Sequence, residues 1–140
     1  RLPVADATVD VILSNCVINL SPDKRAVFAE AFRVLTPGGR LAISDVVALQ
    51  PMPEALLADA AALSGCVAGA APVAELERLL REVGFEQVTV RVKAESAEFI
   101  QGWLPGSGAE RYVSSAELEA IKPGGRSCCG PSCCGPEGAA

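Results

Sequence analysis

Histidine is missing altogether from the 140 residues, which excludes His-dependent nucleophilic triads and His-ligated metal sites within them. Aromatic residues are scarce. There are six, so although half of the chain is apolar, a core must be built mainly from Ala, Val, Leu and Ile. No apolar run reaches membrane-spanning length before a charge or proline interrupts it, and no basic segment followed by a leucine-rich stretch opens the chain at Arg1. A soluble, cytoplasmic protein is the expectation. The glycine-rich loops that cradle phosphate are absent as well. Gly38-Gly39 follows a helical segment and precedes a strand, whereas a dinucleotide fingerprint follows a strand and opens a helix, so this pair reads as a turn. Twelve basic residues stand against seventeen acidic ones, for a formal charge of -5, which argues against nonspecific attraction to nucleic acid or anionic membrane. No internal repeat is found.

What is present is the alternation of an α/β chain. Val9 to Leu13 is a short apolar strand ending at Ser14-Asn15-Cys16. Ser21-Pro22-Asp23 supplies an N-cap, a proline at the first helical position and an early acid, and Val27, Phe28, Ala31, Phe32 and Leu35 then recur at helical spacing until Pro37-Gly38-Gly39. Leu41 to Val47 is a second strand, apolar enough for a sheet covered on both faces. Helices are expected over Pro53 to Leu63 and from Pro72 to Gly84, the latter with Leu76, Leu79, Leu80 and Val83 on one side. Val88 to Val92 alternates as a half-solvated strand, Phe99, Ile100 and Trp103 suggest a short helix, and Tyr112 to Ile121 reads as a last strand. The order is β-α-β-α-α-β-(α)-β. The first strands suggest parallel crossovers and the last pair an antiparallel addition to a mixed sheet with helices on both faces. From residue 124 to 140, Gly, Pro, Ser and Cys dominate and a packed core cannot form, so the expected division is one domain over 1–123 and a flexible tail.

The six cysteines are distributed too unevenly for a secreted disulfide framework, which favours thiol or metal chemistry in a reducing compartment. Asn15 and Cys16 close the first strand, and open α/β sheets bind ligands outside the carboxyl ends of their strands. Inert packing is the alternative for such a small thiol. Cys66, beside Gly65 in a loop, can approach a ligand with little hindrance, with a buried structural role as its alternative. If both line one crevice, their thiolates suit a soft, thiophilic centre. Cys128, Cys129, Cys133 and Cys134 could capture a soft metal, exchange disulfides, or form an appendage with unnecessary thiols; two adjacent pairs only three residues apart are cramped for a closed zinc site.

Leu2-Pro3-Val4-Ala5-Asp6 before Val9-Asp10-Val11-Ile12-Leu13-Ser14-Asn15 resembles the approach to the fourth strand, and the strand itself, of class I S-adenosylmethionine-dependent methyltransferases. Phe32-Arg33-Val34-Leu35-Thr36-Pro37-Gly38-Gly39-Arg40-Leu41 resembles their next helix, turn and fifth strand. More specifically, the runs from Ser14 to Lys24, from Ile43 to Val47 and from Ser64 to Ala70 are similar to arsenite methyltransferases, and the likeness covers nearly the whole chain. It implies the C-terminal half of a Rossmann-like methyltransferase domain. Its Gly-rich cofactor loop, its ribose-binding acid and its remaining arsenic-binding cysteines would lie upstream, so residues 1–140 alone would be inactive.

That resemblance further implies S-adenosylmethionine as methyl donor, Cys16 and Cys66 as catalytic thiolate ligands of arsenic, and Asn15, Cys16 and Val17 as the remnant of the cofactor pocket near the methionine moiety. Cys128, Cys129, Cys133 and Cys134 would be accessory ligands, as similar pairs close many bacterial members of the family. Expected partners are arsenite or its thiol conjugates and a reductant such as glutathione or thioredoxin, with no nucleic acid, no membrane and no permanently bound metal. Trivalent arsenic keeps a lone pair after bonding to sulfur, so it can attack the sulfonium methyl carbon without a general base, and the protein's task is alignment. A local environment lowering the thiol pKa values would favour ligand formation near neutral pH. Two other readings stay open: a small-molecule methyltransferase with another acceptor, and a non-catalytic thiol-rich protein that binds arsenic or a soft metal.

Overall fold

The computed structural model describes residues 1–63, 66–103 and 105–124, apart from the side chains of 60–63. Strand β1 is Val9–Asn15, and helix α1 is Lys24–Val34. The helix cap is Asp23, whose carboxylate accepts from the Ala26 amide at 2.9 Å. Pro22 therefore precedes the cap rather than opening the helix, and Ser21 serves the approach, its hydroxyl accepting from the Asp23 amide at 3.3 Å. Phe28, Ala31 and Val34 are the buried stripe of α1.

Strand β2, Leu35–Ala48, begins as soon as α1 ends, six residues ahead of the expected Leu41. The cause lies in Pro37-Gly38-Gly39. Pairing with β1 steps from Val9–Leu35 to Val11–Arg40, so the intervening turn residues bulge out of the ladder instead of interrupting the strand. Gly38 takes φ +83°, and a Cβ on Gly39 would stand 2.8 Å from the Thr36 carbonyl oxygen. Lys122 locks this corner: its ammonium donates to the carbonyls of Phe32 and Leu35, each at 2.7 Å, and lies over the Phe32 ring.

Helices α2, Glu54–Leu63, and α3, Val73–Val83, follow, then β3, Glu86–Lys93, the short α4, Ala97–Trp103, and β4, Val113–Ile121. The sheet order is β1-β2-β4-β3. β1 and β2 run parallel, while β4 is antiparallel to both β2 and β3, so the last strand enters between its predecessors and leaves β3 at an edge. Odd-numbered Leu41, Ile43 and Val47 of β2 and even-numbered Ala116, Leu118 and Ala120 of β4 form one core with Phe28, Ala31, Leu76, Leu79 and Leu80 of α1 and α3. Val46 alternates to the other side, where Leu56 of α2, Ile100 of α4, Val67 and Val113 make a second cluster. Beyond that cluster a trough lined by Leu13, Asn15, Ala42, Ser44, Glu117 and Glu119 runs along the sheet. No helix among the described residues is long and apolar enough to cross a membrane. Gly65 and the tail cysteines Cys128, Cys129, Cys133 and Cys134 lie outside the described residues.

Candidate functional site

At the carboxyl end of β1 the chain makes a sharp turn centred on a cysteine. The Cys16 amide donates to the Ser44 carbonyl at 2.9 Å, adding one more bond to the parallel pairing. Its φ is then +52°, a left-handed value uncommon for a residue with a Cβ, and the chain leaves the sheet into the 3-10 turn Ile18–Leu20. Such a conformation costs roughly 1–3 kcal/mol and persists only where the surroundings enforce it.

Cys66 arrives from the segment after α2. Its thiol donates to the Cys16 carbonyl at 3.7 Å, so two cysteines fifty positions apart in sequence stand against each other. Both are free and only half-buried. Each keeps part of its surface at the rim of the sheet. Asn15 and Val17 flank the pair, the former exposed at the strand end and the latter 57% exposed. The three residues expected from the sequence to meet a cofactor, Asn15, Cys16 and Val17, thus lie together at the carboxyl end of β1.

Beneath the thiols lies a polar network that sequence reasoning missed. Asp45 of β2, 3% exposed, points into the α1 side of the sheet among apolar neighbours. Its carboxylate accepts from the amides of Ile18 at 3.1 Å, Asn19 at 3.4 Å and Val46 at 2.8 Å, and from the Asn19 carboxamide nitrogen at 3.0 Å. Asn19, 6% exposed, also donates from Nδ2 to the Val46 carbonyl at 2.7 Å and the Cys66 carbonyl at 3.0 Å. The signal that could have found it was a lone acid inside the apolar run from Leu41 to Val47, because a charge placed there must be either neutralised or fully hydrogen-bonded.

The electrostatics run opposite to an activated thiolate. Burial pushes the Cys16 thiol above the ordinary cysteine value, and the nearby Asp45 and Cys66 push it further. Burial likewise raises Asp45, with the Val46, Asn19 and Ile18 amides drawing it back only in part. The fold therefore does not lower the Cys16 pKa and does not supply the kind of environment that would favour ligand formation near neutral pH. A thiol that keeps its proton can still bond a soft centre bearing hydroxide, since the sulfur bond formed then releases water and leaves no charge behind. Among the described residues, no group of three or more His, Cys, Asp and Glu side chains is placed to hold a metal ion.

Comparison with known proteins converges on one family. The profile of the methyltransferase domain matches residues 1–84. An arsenite methyltransferase of Halobacterium salinarum is 51% identical over 123 residues, 88% of this chain and 32% of that protein. Another, of Aquipseudomonas alcaligenes, is 48% identical over 84 residues, 60% of this chain and 24% of that protein. The chain thus spans about a third or less of the length of these relatives. Among solved structures, an arsenic(III) S-adenosylmethionine methyltransferase from Chlamydomonas reinhardtii superposes with a TM-score of 0.59 at 30% identity, over 86% of this chain and 39% of that one. A phosphoethanolamine N-methyltransferase from Haemonchus contortus, with a TM-score of 0.70 at 16% identity over 86% of this chain and 34% of that one, shares the fold alone. The mixed sheet with its antiparallel final strand is accordingly part of a class I methyltransferase architecture.

Proposed function

The chain belongs to the methyltransferase-domain family, and from that premise we propose that it is the C-terminal part of an S-adenosylmethionine-dependent arsenite methyltransferase. Residues 1–123 would complete the catalytic domain, and residues 124–140 would form a thiol-bearing tail. The observation that carries the reading is the meeting of Cys16 and Cys66 at the carboxyl end of β1. Two sulfurs on one rim make a bidentate soft-donor set, which an oxygen, nitrogen or carbon acceptor would not need.

The chain's own residues would act as follows. Cys16 and Cys66 exchange their thiol protons for arsenic, water departing with each hydroxide that is replaced. The half-buried setting limits competing thiols and water, while the turn at Cys16 sets the direction in which the arsenic lone pair faces. S-adenosylmethionine, when bound, supplies an electrophilic methyl carbon at a sulfonium. Asn15 and Val17 would hold its methionine end beside the thiols, so that the transfer is an oriented encounter within one site. No residue needs to remove a proton during the transfer, because the lone pair is already free. The expected site is cytoplasmic, with glutathione or thioredoxin returning oxidised thiols to the reduced state and no resident metal.

Incubation of the full-length protein with arsenite, a thiol reductant and S-adenosylmethionine is the direct test. Protein-dependent mono- or dimethylated arsenic, separated by chromatography and measured by mass spectrometry, is the expected product. Tight arsenite binding without any methylated species would favour a sequestering protein instead, and methylation of a different acceptor alone would place the chain elsewhere in the family. Residues 1–140 alone should give no robust turnover.

A further inference from the structure

We propose that Asn19 and Asp45 are positioning residues for the thiol pair, holding the Cys16 and Cys66 backbones at a fixed separation so that a single trivalent centre spans both sulfurs. This deepens the arsenite reading and rests on it. The argument is one of connectivity. The turn that follows Cys16 is pinned by its Ile18 and Asn19 amides to the Asp45 carboxylate. The segment carrying Cys66 is pinned by its carbonyl to Asn19 Nδ2. Among the described residues, the hydrogen bonds that join Cys66 to this end of β1 are that one and its own weak thiol contact to the Cys16 carbonyl. Asn19 and Asp45 also bond to each other, at 3.0 Å, and Asn19 reaches the Val46 carbonyl of β2 at 2.7 Å.

One carboxamide–carboxylate pair therefore ties three stretches of chain, the β1 turn, β2 and the residue-66 segment, at the point where the Cys66 thiol meets the Cys16 carbonyl. Among the described residues, the hydrogen bonds of the two side chains go to backbone groups and to each other, not to a sulfur. Burying both is costly, and core packing alone would be served by apolar residues. What the polar pair adds is direction, since hydrogen bonds fix a backbone to tenths of an ångström where apolar contact does not. Chelation is sensitive to that: a bidentate donor set keeps its advantage only while the second sulfur is already at bonding distance when the first has reacted. Outer-shell partners of this kind change affinity about 10–100-fold when removed from metal sites.

The test uses the full-length protein with Cys128, Cys129, Cys133 and Cys134 changed to Ser, and phenylarsine oxide as the probe. This reagent bridges two thiols and gives up its oxygen as water with both thiol protons. The readout is the fraction of Cys16 and Cys66 peptides joined by one arsenic, by mass spectrometry, as a function of reagent concentration. Asn19→Ala should raise the concentration needed for bridging about 10–100-fold, with single-thiol alkylation of each cysteine by iodoacetamide within about twofold of the parent. S-adenosylmethionine affinity should not change. Leu80→Ala, which damages the core away from the network, should leave bridging intact despite its lower stability. Unaltered bridging in Asn19→Ala, or an equal loss in Leu80→Ala, would overturn the proposal. If Asn19→Ala does not fold, Asn19→Ser is measured in its place, and failure of both to fold would assign the pair a purely structural role. Failure of the arsenite reading looks different: there, the parent protein with both thiols intact would form no methylated arsenic from arsenite and S-adenosylmethionine, whatever Asn19→Ala does to bridging by phenylarsine oxide.

Discussion

Replacing Cys66 by Ser in the full-length protein sets two effects of different size against each other. The structural one is small. Serine has nearly the same volume, the site is half-buried, and the lost interaction is a thiol donating at 3.7 Å to the Cys16 carbonyl, for which a hydroxyl is a competent substitute. The stability change should stay within ~1 kcal/mol. The ligand effect is large. A two-sulfur site becomes a one-sulfur site, and the advantage of a second, linked donor is about 100-fold to 10,000-fold. At about 1.4 kcal/mol per decade that is roughly 3–6 kcal/mol, several times the structural term. Arsenite saturation curves should therefore show a severe loss of methylation for Cys66→Ser, with S-adenosylmethionine affinity and melting temperature close to those of the parent. Cys16→Ser should behave alike, with a somewhat larger effect on stability because its left-handed backbone is held by neighbours adapted to it. A Cys66→Ser protein with normal turnover at low arsenite would refute the reasoning, since no half-occupied donor set could sustain it.

Three further outcomes follow from the same picture. Changing Cys128, Cys129, Cys133 and Cys134 together to Ser should weaken arsenic capture at low concentration yet leave turnover at saturation, because a Gly/Pro-rich segment can raise local concentration but cannot enforce alignment; inactivity at saturating arsenite would contradict this. Iodoacetamide should alkylate Cys16 with an apparent pKa above that of an unperturbed cysteine, since burial, Asp45 and Cys66 all disfavour the thiolate, so its rate should still be climbing at a pH where an exposed thiol has levelled off. A profile shifted to lower pH would show that the surroundings activate the thiol. Finally, Gly84→Ala should destabilise the protein by more than about 1 kcal/mol, because Gly84 ends α3 at φ +120° and an added Cβ would lie 3.1 Å from the Phe32 ring. Urea denaturation with an unchanged midpoint would contradict that.

Much of the framework could be read from the residues in order. The stripe Leu76, Leu79, Leu80 placed α3 on the core, Gly84 marked its end, and the alternation of β3 and the apolar run of β2 marked strands, because each of these depends on bonds and burial within a few residues of itself. The position of Cys16 at a strand end, where open sheets take ligands, was legible in the same local way. The early start of β2 at Leu35 was not, since Pro37-Gly38-Gly39 signals a turn locally, and only pairing with β1 and with β4 on its two sides keeps the strand running through the bulge. Nor could spacing alone bring Cys66 against Cys16 across fifty residues, or bury Asn19 and Asp45 together beneath them. The raised Cys16 pKa, set by burial and by Asp45 and Cys66, was equally beyond local reading. Residue type and short-range periodicity set which atoms can bond and which segments are regular, whereas desolvation, proximity and the choice of hydrogen-bond partner are sums over every group the folded chain brings near, and those exist only once the sheet has closed on its helices.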